Sequence, residues 1–233
     1  MSCNCALILA AGKGERLKPL TNEIPKPLIR AGKYRLIEYH IFNLGKAGIN
    51  RIYINRAHLR SKFDELLNFR NFPDVEINYL DEPDGALETA GAIINAFEKI
   101  NTDRLIVLNG DIWTDFNFND IKNLPSNVND NAHVILTTNP SHNLSGDFSL
   151  DGNRLIERTN ISQSYTFSGI GIYRKQMFEM RSVEFLKLAP VLRQQIKLNR
   201  VSASLSNKKW MDIGTMERLI ALRELLTQMP LDD

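Results

Sequence analysis

Cysteine is nearly absent from these 233 residues: only Cys3 and Cys5 occur. Two thiols that close in sequence cannot staple a fold, and no second ligand pair accompanies them to make a zinc site. They read as a loose terminus plus the first residue of a strand. The four histidines, His40, His58, His133 and His142, are scattered without metal-ligand spacing. No apolar run approaches the ~20 residues of a membrane-spanning helix, and no basic, apolar, small-residue leader opens the sequence. A cytoplasmic location without a membrane partner is expected. An excess of one charge is also missing. Lys and Arg total 29 against 27 Asp and Glu, a net charge of +2, which gives no reason to expect a nucleic acid as partner. No repeat of solenoid period occurs. Two phosphate-binding loops are excluded by letter: there is no Gly-Lys-Ser/Thr, and the third glycine of a dinucleotide loop is replaced by Leu17.

What is present is concentrated in residues 7–28, LILAAGKGERLKPLTNEIPKPL. An apolar strand over residues 6–11 breaks into a loop carrying Gly12 and Gly14. Ala11, Gly12 and Gly14 can bring backbone N–H groups close to a phosphate. Arg16 offers a guanidinium fork and Lys26 a compact point charge to the same anion.

Further along, apolar runs alternate with amphipathic stretches. Strands are expected at 51–55, 75–80 and 104–108, and helices at 36–45, 59–68 and 88–100. That alternation predicts an α/β fold, a Rossmann-like, mainly parallel sheet flanked by helices. The second half changes character, with strands at 133–139, 147–150, 154–159 and 165–174, a hairpin turn at Asp151-Gly152, and helices at 186–198 and 215–228. One domain is expected, with a nucleotide-binding half over 1–115 and a substrate-binding half over 116–233, joined by a polar loop at 123–131.

Asn109-Gly110-Asp111 follows the strand at 104–108, and ligands in open α/β sheets gather beyond the carboxyl ends of strands. Asp111 can hold Mg²⁺ there or cap a turn. Asp212, in Trp210-Met211-Asp212-Ile213-Gly214-Thr215, sits in a short apolar strand and needs a partner if buried. Thr215 can cap the last helix.

The order of glycine loop, Pro-Lys-Pro-Leu, Gly-Asp and Trp-x-Asp-x-Gly-Thr resembles the sugar-1-phosphate nucleotidyltransferases, whose fold is GT-A-like. The resemblance implies that Arg16 and Lys26 are catalytic and that Asp111 and Asp212 hold Mg²⁺. It further implies that Ala11, Gly12, Gly14, Glu82, Leu87, Thr89 and Asn109 bind the nucleotide. Where many relatives have Gly-Thr, this chain has Glu88-Thr89. Segments such as Leu87-Glu88-Thr89-Ala90-Gly91, Gly146-Asp147-Phe148 and Lys187-Leu188-Ala189-Pro190 narrow the resemblance. They point to members that transfer UMP from UTP to N-acetylmuramic acid 1-phosphate in peptidoglycan recycling. Trp113, Asp147, Phe148 and Glu157 are the candidate sugar contacts; Trp113 can equally be a packed aromatic and Glu157 part of a solvated hairpin arm. A monomer is expected. Mannose 1-phosphate with GTP, or another sugar phosphate, remains an alternative substrate pair. An inactive module that senses nucleotide sugars is the non-enzymatic alternative; it would be expected to lack one of Arg16, Lys26, Asp111 or Asp212.

Overall fold

Residues 5–9 form an interior strand because Cys-Ala-Leu-Ile-Leu has no polar side chain to present to water, and a strand buried on both faces needs none. The computed structural model describes residues 3–83, 87–125, 127–159 and 162–229. In chain order the elements are β1 (Cys5–Leu9), β2 (Arg30–Ala31), β3 (Tyr34–Arg35), α1 (Leu36–Lys46), β4 (Arg51–Arg56), α2 (Ser61–Leu66), β5 (Glu76–Asp81), α3 (Glu88–Lys99) and β6 (Arg104–Asn109). They continue with β7 (Ile112–Thr114), β8 (Ala132–Thr137), β9 (Phe148–Asp151), β10 (Arg154–Glu157), β11 (Ser164–Arg174), α4 (Leu188–Lys197), β12 (Val201–Leu205), β13 (Trp210–Asp212) and α5 (Met216–Gln228).

Nine strands make one sheet in the order β5-β4-β1-β6-β11-β8-β12-β10-β9. The first four run parallel, as the alternation predicts; β11 then enters antiparallel to both β6 and β8. The sheet is therefore mixed: the four-stranded parallel block comes from the first half of the chain, and in the second half only β8 and β12 pair parallel. Register decides where chemistry can gather. Leu9 faces Asn55 on one side and Asn109 on the other, so β4, β1 and β6 end in a single row. A second, two-stranded sheet pairs β7 with β13. In the second half, β11, β8, β12, β10 and β9 are linked in a closed circuit, because β9 also pairs back to β11.

Each predicted strand and helix forms, with shifted ends. The helix expected at 59–68 shortens to α2 because Leu59 takes a left-handed backbone, φ 51°, that a helix cannot include. The turn expected at Asp151-Gly152 falls one residue later, since Asp151 pairs with Arg154 and leaves Gly152-Asn153 between them. The terminus is not loose at Cys3, whose N–H donates to Lys122 O at 2.8 Å and whose side chain is buried. Parts of the polar loop at 123–131 and of the hairpin arm near residue 160 lie outside the described residues, as do residues 84–86 between Glu82 and Leu87.

α1 begins where Glu38 accepts the Arg35 N–H at 2.7 Å, a capping interaction, and buries Leu36, Ile37, Ile41 and Leu44. α5 begins at Thr215, whose hydroxyl accepts the Arg218 N–H. It packs Leu219 and Leu222 into a small core shared with Leu17, Ile29, Leu36, Trp113 and Ile213. Among the described residues no helix is long and apolar enough to cross a membrane.

Candidate active site

A cavity of about 400 Å³ opens over the row formed by Asn55, Leu9 and Asn109. It lies beyond the carboxyl ends of the parallel strands, where chain ends and loops leave backbone groups unpaired. Its floor and walls include Ala10, Ala11, Gly12, Gly14, Arg16, Lys26, Asn55, Glu82, Glu88, Thr89, Asn109, Asp111 and Gly214. Of the residues singled out from sequence, Ala11, Gly12, Gly14, Arg16, Lys26, Glu82, Thr89, Asn109 and Asp111 meet here.

The two loop glycines differ. A Cβ at Gly12 would touch nothing, so that position is open. Gly14 has φ 65°, and a Cβ there would fall 2.8 Å from Thr21 Cγ2; the Thr21 hydroxyl donates to Gly14 O at 2.9 Å. Only Gly14 is demanded by geometry. A 3₁₀ turn over Lys26–Leu28 buries the Lys26 stem and aims its ammonium at Asp111, Nζ to Oδ2 2.5 Å. Gly110 N donates to Leu9 O at 2.8 Å, which clamps the Asp111 turn against the end of β1.

Asp212 reaches the same neighbourhood through the β7–β13 ribbon. It pairs with Ile112, and Ile213 N donates to Asp111 O at 2.8 Å. Its carboxylate accepts two hydrogen bonds from Arg218 Nη1, at 2.6 and 2.7 Å, and His142 Nε2 lies 2.8 Å from Oδ1. Asp212 itself does not line the cavity. Gly214 does, and two guanidiniums crowd it: a Cβ there would lie 3.0 Å from Arg16 Nη2 and would collide with Arg218.

Glu82 lies in the wall as a satisfied brace. Its two oxygens accept from Asn55 Nδ2 at 2.7 Å and Leu87 N at 2.9 Å, while Asn55 Oδ1 accepts from Ala10 N at 2.6 Å. Leu87 is buried beneath the wall rather than part of it. None of the four candidate sugar contacts lines the cavity. Trp113 is buried in the small core, edge-on to Tyr39. Phe148 is buried in the main core, Asp147 accepts the Phe167 N–H at 2.8 Å, and Glu157 pairs with Arg193 at the surface. Asn55, Glu88 and Gly214 escaped the sequence reading as wall residues. Two of them carried a signal: Glu88 as an acid where glycine is common, and Gly214 as the glycine of Trp-x-Asp-x-Gly-Thr.

Two histidines stay neutral near pH 7. Burial pushes both His40 on α1 and His133 on β8 down to about 4. His133 exchanges hydrogen bonds with the Ser202 and Ser204 hydroxyls.

The chain is similar to several known proteins. N-acetylmuramate alpha-1-phosphate uridylyltransferase of Neisseria meningitidis serogroup B is 41% identical, over 92% of this chain and 94% of that protein. The bifunctional protein GlmU of Methanococcus aeolicus is 30% identical over 90% of this chain, which spans about half of that protein. Among solved structures, HddC from Yersinia pseudotuberculosis superposes with a TM-score of 0.77 at 22% identity, covering 97% of this chain and 100% of that one. A UDP-glucose pyrophosphorylase complexed with UDP-glucose also gives 0.77, at 20% identity, covering 98% and 99%. These likenesses fix the fold. The nucleotidyl transferase family model matches residues 5–229, nearly the whole chain, and the chain belongs to that family.

Proposed function

We propose that this enzyme transfers UMP from UTP to N-acetylmuramic acid 1-phosphate, giving UDP-N-acetylmuramic acid and pyrophosphate, a reaction of peptidoglycan recycling. The observation that carries the reading is the 41% identity, spread over nearly the full length of both chains, to a relative named for that activity. The cavity supports it with an ordered set of anion-binding groups. Since the reaction consumes UTP, the enzyme is taken to be cytoplasmic.

In this reading the backbone of residues 10–14 cradles the triphosphate. An oxygen of the sugar phosphate attacks the α-phosphorus in line, and the bond to the bridging oxygen breaks to release pyrophosphate. The attacking oxygen is already anionic at neutral pH, so no base is required. Positioning and charge neutralisation supply the rate. Lys26 lies between the two phosphates that meet, and Arg16 stabilises the leaving pyrophosphate.

Asp111 and Asp212 fit a divalent cation by donor chemistry: two hard carboxylates on adjacent main-chain positions, each balanced by cations in the protein alone. Mg²⁺ takes one or two carboxylates and leaves its other positions to phosphate and water. Once bound, Mg²⁺ would neutralise phosphate charge and polarise the phosphorus–oxygen bonds. Arg218 keeps Asp212 oriented, and Lys26 does the same for Asp111.

The test is pyrophosphate release with Mg²⁺ and UTP, offering the 1-phosphates of N-acetylmuramic acid, glucose, mannose and N-acetylglucosamine. Release should be strongest with the muramic substrate. Release only with another sugar would discard the sugar assignment, and no release with any would discard the enzyme.

A further inference from the structure

Glu88 occupies a backbone conformation that suits glycine. Its φ is 58°, in the left-handed region that a residue with a Cβ rarely adopts. The chain on either side holds it there. Leu87 N donates to Glu82 Oε2, Leu186 N donates to Leu87 O, and the N–H groups of Ala90 and Gly91 both donate to Leu186 O. A non-glycine residue held at such a position is a reason to look for work done by its side chain.

That side chain is half-buried and lines the cavity. It has no hydrogen-bond or ion-pair partner among the described residues. The contrast with Glu82 is direct. Both carboxylates line the cavity, but Glu82 is used up by Asn55 and Leu87, whereas both oxygens of Glu88 are without a partner among the described residues. A free carboxylate repels phosphate and attracts a neutral N–H or O–H donor. Leu87 ties the start of α3 to Glu82, just past β5, while Lys26 and Asp111 stand at the β6 end; three strand spacings, ~14 Å, separate β5 from β6. When the triphosphate lies at the cationic end, the nucleoside reaches Glu88.

Resting on the UTP reading above, we infer that Glu88 is a specificity residue whose carboxylate accepts a hydrogen bond from the nucleoside, from either a ribose hydroxyl or uracil N3–H. The acceptor chemistry is the same for both donors, and analogues separate them. Equilibrium binding of UTP, 2′-deoxy-UTP, 3′-deoxy-UTP and N3-methyl-UTP would be measured by calorimetry with the unaltered chain, Glu88→Gly and Glu88→Gln. One analogue should bind the unaltered chain roughly tenfold more weakly than UTP, the usual scale for losing a hydrogen bond to a charged group. Glu88→Gly should lose a similar factor for UTP and no longer distinguish that analogue, while melting no lower than the unaltered chain because the backbone conformation is relieved. Glu88→Gln, with a neutral acceptor, should fall between.

UTP affinity in Glu88→Gly that is within twofold or tighter, or undiminished discrimination against all three analogues, would overturn the role of Glu88 alone. Failure of the unaltered chain to bind UTP or release pyrophosphate would instead overturn the reading on which the role rests.

Discussion

Asp111 and Asp212, far apart in sequence, are main-chain neighbours: Ile213 N donates to Asp111 O, and Asp212 pairs with Ile112 across a two-stranded ribbon. The ribbon fixes both carboxylates with backbone hydrogen bonds that a side-chain substitution does not remove. Asp212→Asn should therefore keep its melting temperature within a few degrees, since an amide oxygen still accepts from Arg218. Its Mg²⁺ affinity in the presence of UTP, read by calorimetry, should fall at least tenfold, and turnover with it. A variant that binds Mg²⁺ normally would remove Asp212 from the metal site.

Arg16 is assigned to charge that develops on the leaving pyrophosphate. Arg16→Ala should lower kcat by ~10²-fold, the scale for losing one such donor, and raise the KM for UTP much less. Equal effects on both constants would make Arg16 a ground-state binder.

Gly214 gives an independent route to the same guanidinium. Its Cβ would lie 3.0 Å from Arg16 Nη2 and overlap Arg218, so Gly214→Ala has to push one or both aside. We expect a loss of kcat approaching that of Arg16→Ala in a protein that still folds. Combining the two substitutions should then add little, because the second acts through a group already removed. Fully additive losses would separate Gly214 from Arg16.

Much of this was legible in the sequence for a physical reason. A buried strand followed by a glycine loop is encoded locally, and so is an acid just past a strand. The cations of residues 16 and 26 lie within the same stretch. Three features were not local. Trp113 could be read from sequence as a sugar contact or as a packed aromatic; it belongs to the β7–β13 ribbon and packs against α5, a pairing with residues a hundred positions away. Burying such an aromatic in a core is worth several kcal/mol less the cost of ordering it, ample to decide its place. Asn55 stands in the cavity because the register of β4 against β1 puts it opposite Leu9, which no periodicity reveals. Phe148 is buried in the core from a strand whose hairpin partner the sequence names, but whose second partner, β11, it does not.

Glu82 illustrates a wall residue whose role is to hold others. Both oxygens act as acceptors toward fixed donors, the Asn55 amide and the Leu87 N–H. Glu82→Gln must turn an NH₂ toward one of them and leave a buried clash of donors, costing about 1–3 kcal/mol. The thermal midpoint should drop, and UTP affinity should fall because Asn55 also accepts the Ala10 N–H beneath the phosphate loop. An unchanged midpoint would mean that the wall relaxes around the amide.

His133 makes stability depend on pH with a definite sign. Burial lowers it from 6.5 to about 4 in the folded chain, while the unfolded chain titrates near 6.5. Between those values the unfolded state carries the extra proton, so the stabilisation is complete above pH 6.5 and is lost as pH falls toward 4. The loss attributable to this one residue can reach ~3 kcal/mol. Urea midpoints should therefore drop between pH 7 and pH 5. His133→Gln, which does not titrate and can still bond one of the two serines, should show a smaller drop over the same interval despite a lower midpoint at pH 7. An identical pH slope in the variant would mean that His133 is protonated in the folded protein at these pH values and that its burial carries no such penalty.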